Sequence, residues 1–72
     1  MNNKRAFAAY EACVNAGINM HLDFHALRSS ETARLAELAA AFKYRKPRGA
    51  NGSTARYFFA YVNKGRDAAN RA

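Results

Sequence analysis

The sequence predicts a small all-α protein, a three-helix bundle with a basic loop between its second and third helices. Three observations lead there. Apolar residues recur at helical spacing in three separate segments. Each segment is bounded by residues that start or stop helices. The one stretch with strand-like alternation, Ile18, Met20 and Leu22, has no second strand to pair with. At 72 residues the chain is one domain, near the lower size at which an apolar core alone sustains a fold.

The first helix is expected from Lys4 to Ala16, capped by Asn2 or Asn3, with Phe7, Tyr10 and Val14 on its apolar face and Ala6, Ala9 and Cys13 widening it. Gly17 is placed to end it. Residues 18 to 22 read as an extended connector that tucks apolar side chains under the helices. Asp23 is placed to cap a single turn carrying Phe24 and Leu27. Ser29 and Ser30 followed by Glu31 signal a second helix from Glu31 to Lys43, with Leu35, Leu38, Ala39 and Phe42 buried. Pro47 forbids its continuation, so residues 44 to 52 form a loop. Ser53 or Thr54 caps a third helix that carries Ala55, Phe58, Phe59 and Val62 and reaches Asn63. Gly65 is expected to end that helix, leaving residues 66 to 72 as a frayed tail.

Charge carries most of the functional information. Twelve Lys and Arg against five Asp and Glu give +7. From Leu38 to Arg66 no acidic residue occurs, and that interval holds Lys43, Arg45, Lys46, Arg48, Arg56, Lys64 and Arg66. The remainder of the chain is neutral overall. Such one-sided charge points to a polyanion, nucleic acid above all. The segment KYRKPRGANGSTARYFF reads as a phosphate-binding arm. In it Arg45, Lys46 and Arg48 reach a backbone, and the turn from Gly49 to Ser53 presents amides at the start of the third helix. The full set of candidate binding residues is Lys43, Tyr44, Arg45, Lys46, Arg48, Ser53, Arg56, Tyr57, Lys64 and Arg66. Tyr57 and Tyr61 flank the core stripe, as stacking platforms or as boundary residues with their hydroxyls in water. A helix-turn-helix fits only in part, because the loop is long and the third helix offers only Arg56, Asn63 and Lys64 as base readers.

Other chemistries are poorly supported. Gly49 to Thr54 lacks the lysine and the glycine spacing of a nucleotide-binding P-loop. His21 and His25 have no second ligand pair, so no metal or other cofactor is expected. Cys13 has no base near it in sequence and the carboxylates are scattered, which argues against an enzyme. A lone cysteine and the absence of a leader after Met1 fit a reducing cytoplasm, and no apolar run is long enough to cross a bilayer.

The stretch AAFKYRKPRGANGSTARYFFAYV resembles short, mostly uncharacterised accessory proteins of tailed bacteriophages, in which an alanine-rich helix leads through Arg-Lys-Pro and Asn-Gly-Ser into an Arg-Tyr-Phe helix. The likeness spans residues 38 to 62. It implies a small accessory protein in the cytoplasm of an infected bacterium, acting by binding. Two functions are therefore expected of the basic segment: backbone-led binding of DNA or RNA, or inhibition of a host polymerase, nuclease or defence component through an acidic patch on it. A homodimer that completes the thin core is compatible with either.

Overall fold

The computed structural model describes residues 4–71, with side chains described through Asp67, and within them the chain is a three-helix bundle. Helix α1 spans Lys4–Asn15, a single 3₁₀ turn spans Phe24–Ala26, α2 spans Ser29–Ala41 and α3 spans Thr54–Arg71. The expected caps Asn2 and Asn3 lie outside the described residues. The long α3 is the central element, packed against both α1 and α2. Phe58, Leu35 and Val62 are fully buried at the middle of the core.

The start of α2 differs from expectation. Neither serine caps it, and the helix begins at Ser29, with Arg28 in the N-cap position at φ −73 and ψ 158. An arginine side chain has no acceptor to offer free amides. Glu31 takes over: its carboxylate accepts from the Arg28 N–H at 3.1 Å and from the Asn19 N–H at 3.0 Å. One side chain thereby fixes the helix start and staples the connector to it. Those two backbone bonds, Asn19's first, hold the Glu31 carboxyl below its ordinary pKa. Ile18 and Met20 are buried as expected, whereas Leu22 is exposed. Asp23 stands before the 3₁₀ turn without a side-chain capping bond.

Helix α1 ends in a Schellman motif. The Gly17 N–H donates to the Val14 carbonyl at 3.0 Å and the Ile18 N–H to the Cys13 carbonyl at 3.1 Å, with Gly17 at φ +83. The carbonyl of Ala16 at this end accepts from Arg34 of α2 at 2.7 Å. At the other end of the pair, Arg5 of α1 donates to the carbonyl of Phe42, which closes α2. The two helices therefore run antiparallel, each lending the other an arginine where its carbonyls are unsatisfied and its dipole is negative.

Two expectations about packing are overturned, and they share a cause. Gly65 does not end α3, which continues to Arg71. A β-carbon at Gly65 would stand 2.1 Å from that of Ala6, so the glycine is where α1 and α3 come into near backbone contact. A glycine followed by a polar tail imitates a helix stop, yet here the missing side chain serves a crossing. Close approach also decides which face of α1 is buried. Ala6, Ala9 and Cys13 turn into the core, while Phe7 and Val14, expected in it, stand 38% and 48% exposed. Burial pushes the Cys13 thiol up to about 11, leaving it protonated and unreactive at neutral pH.

Gly65→Ala tests the crossing. Helix propensity alone favours alanine by about 1 kcal/mol, but the clash with Ala6 has no flexible atom to absorb it. The variant is expected to lose about 1–3 kcal/mol in urea unfolding, and Ala6→Gly in the same chain should restore much of the loss. Glu31 sets an acid limit. A depressed folded pKa gives stability that is present above the unfolded value near 4.3 and lost as pH falls through the folded one. Urea midpoints of the parent and of Glu31→Gln should therefore differ at pH 7 and converge as the pH falls through the depressed folded pKa of Glu31.

Candidate nucleic-acid interface

Helix α2 closes with the same backbone motif as α1, but on a different residue. The Lys43 N–H donates to the Ala40 carbonyl at 3.0 Å and the Tyr44 N–H to the Ala39 carbonyl at 2.9 Å, with Lys43 at φ 56. Where α1 uses Gly17, α2 places a lysine in the left-handed region. The next residue, Tyr44, turns inward. Its ring meets Phe58 edge-on with centroids 5.5 Å apart and leans on Tyr61 at 5.1 Å and 34°. Burial, followed by the neighbouring Tyr61 and Tyr57, pushes the Tyr44 hydroxyl pKa up.

From that anchor the loop over residues 42–53 is held by its own polar groups. Lys46 Nζ donates to the Gly52 carbonyl at 2.9 Å, and the Tyr57 hydroxyl donates to the Asn51 carbonyl at 3.0 Å. Ser53 caps α3 as expected, its Oγ accepting from the Arg56 N–H at 3.2 Å. The candidate residues thus divide by task. Tyr44, Lys46, Ser53 and Tyr57 shape the loop and tie it to α3. Lys43, Arg45, Arg48, Arg56 and Lys64 are exposed, and none has a carboxylate partner among the described residues. Arg56 and Lys64 stand eight residues apart on α3, about 80° around the helix axis from each other.

Two expected members lie elsewhere. Arg66 is ion-paired with Asp67 at 3.0 Å and sits 5.4 Å over the ring of Tyr10, on the α1 side of α3. The Asp67 hydrogen bond pushes its pKa further up, and its charge is compensated on the spot. Asn63 turns its amide oxygen into the protein, where it has no hydrogen-bond partner among the described residues. It is not displayed for reading bases.

Sequence reasoning missed Arg5. It belongs to the neutral part of the chain, yet its bond to the Phe42 carbonyl sets its guanidinium beside the basic loop. Arg5, Phe42, Lys43, Tyr44, Arg45 and Tyr61 line one small cleft. No local pattern announces such a gathering, because it depends on α1 lying across the end of α2.

No family model, curated protein or solved structure matches the chain. Among the described residues no three His, Cys, Asp or Glu side chains gather where they could hold a metal ion, and no helix is long and apolar enough to cross a membrane.

The lysine at the end of α2 yields a stability test. A non-glycine residue in the left-handed region carries about 1–2 kcal/mol of strain, partly offset by the greater chain entropy that glycine loses on folding. Lys43→Gly should stabilise the protein by about 0.5–1 kcal/mol, seen as a higher urea midpoint with an unchanged slope.

Proposed function

We propose that this protein binds nucleic acid, gripping the sugar-phosphate backbone with the 42–53 loop and the exposed face of α3. One observation carries the proposal. Lys43, Arg45, Arg48, Arg56 and Lys64 are all exposed and none is paired with a carboxylate among the described residues, while Arg5 joins Lys43 and Arg45 at one cleft. A surface meant only to keep a small protein soluble mixes both signs. Phosphates are the complement of a one-signed surface, and releasing their counterions supplies the affinity. Contacts of this kind position a backbone without reading sequence, so recognition is backbone-led. The likeness to phage accessory proteins fits a small binding protein at work in an infected bacterium.

A second reading, regulation of a host protein, draws on a different feature. Phe7, Val14 and Leu22 are large apolar side chains left 38%, 48% and 41% exposed, and they supply anchors of the kind protein partners use. They lie on α1 and the connector, and none of them is a member of the basic segment.

The salt response decides between these. Engaging four to six phosphates gives a log–log slope of binding constant against salt between about −3 and −5.5, depending on whether the target is single-stranded or duplex. The combined substitution Arg45→Gln, Arg48→Gln and Arg56→Gln should flatten that slope by about 2 to 3 while leaving the helical circular dichroism unchanged. Unaltered affinity and salt response in that variant would overturn the proposal. Stoichiometric retention of one host protein after nuclease treatment, with no oligonucleotide binding, would put the second reading in its place.

A further inference from the structure

We infer that the cleft between Arg5 and Tyr61 takes one unpaired nucleotide, base against the tyrosine rings and phosphate on the cationic rim, so that the protein prefers single strands to duplex. This rests on the nucleic-acid reading above and narrows it to a substrate class.

The cleft joins two chemistries that a nucleotide also joins. Its floor is aromatic: Tyr44 and Tyr61 lie 5.1 Å apart at 34°, both half-buried and backed by Phe42 and Phe58. Its rim is cationic, from Arg5, Lys43 and Arg45. The space is about 160 Å³, on the scale of one planar ring. In a duplex the bases are paired and stacked inside, so only phosphates would reach the rim and the floor would stay empty. An unpaired base offers its π-face to the floor while its own phosphate meets the rim. The acidic side chain of a peptide would satisfy the cations and leave the rings without a partner.

Two details of the rim support the assignment. The Phe42 carbonyl holds the Arg5 guanidinium in place by one N–H and leaves the others to donate to a phosphate. Lys43 occupies a backbone position where α1 uses glycine, at φ 56. The strain brings a cation to the cleft that the same motif does without at Gly17.

The test uses the full chain, with fluorescent oligo(dT) and oligo(U) of about 12 nucleotides and a mixed-sequence duplex of the same length, in about 100 mM salt. Single strands of either sugar are expected to bind at least about tenfold tighter than duplex. With no tryptophan, intrinsic emission comes from four tyrosines, two of which line the cleft. That emission should be quenched by single strands and not by duplex. Tyr61→Leu, which keeps apolar bulk, should weaken single-strand binding about tenfold and abolish most of the quench. Lys43→Gly covers the case in which Tyr61→Leu fails to fold. It should raise the thermal midpoint and yet lower the single-strand salt slope by about 1, opposite signs that a merely structural lysine would not give.

Failure of every oligonucleotide to bind would overturn both this inference and the nucleic-acid reading. Duplex binding as tight as single-strand binding, with tyrosine emission unmoved, would overturn the cleft and leave that reading standing. Poly-glutamate binding as well as oligo(dT) at matched charge would also overturn it.

Discussion

The near contact of Gly65 with Ala6 is the constraint on which the rest of the arrangement depends. The distance between packed helices follows the size of the residues at the crossing, and here one side is a hydrogen atom and the other a methyl group. With α1 drawn in this far, its small face of Ala6, Ala9 and Cys13 fills the space over α3. A standard separation would need larger side chains there, and Phe7 or Val14 would have to rotate inward. Arg5, the neighbour of Ala6 in the chain, reaches the Phe42 carbonyl and the cleft from this same end of α1.

Much of the fold was legible in the sequence because each helix carries local signals that agree with its tertiary role. The Phe58, Phe59 and Val62 stripe, the Gly17 stop and the Ser53 cap were all read correctly from spacing and residue type. The failures occurred where a long-range contact overrides a local cue. Gly65 looks like a terminus to any reading confined to its neighbours, since nothing nearby in sequence shows that Ala6 lies against it. Ser29 and Ser30 looked like caps, but Glu31 reaches back to Arg28 and across to Asn19, and the start of the helix moves with it. The alternation in residues 18 to 22 marks a connector that buries Ile18 and Met20, though its last apolar member faces outward.

Charge shows the same division between local and distant information. The basic character of residues 43 to 56 is visible in composition alone, and most of it stays exposed. Its edges were not visible. Arg66 falls inside the acid-free interval by sequence, yet its charge is offset by pairing with the first acidic residue beyond it, Asp67. Arg5 falls outside and is carried in by the fold. The number of cations changes little, but their placement does, and placement decides whether fields add over one face or cancel around the molecule.

The aromatic cluster at the end of α2 carries two burdens at once. Tyr44, Phe42 and Tyr61 complete a core whose other buried members include several alanines, and they also form the floor of the cleft. Rings that face the core on one side and solvent on the other bury apolar area without closing off the surface they present. A domain this small has few side chains to divide between stability and binding. Under the proposed binding role, sharing these rings would tie the two tasks together, and the left-handed Lys43 beside them fits that proposal. At Lys43 the chain accepts backbone strain that glycine would relieve, at a position on the rim of the basic face. Strain that persists where a simpler residue would fit motivates the proposal of a role for the side chain, and at this point in the fold that side chain adds positive charge beside a half-buried aromatic floor.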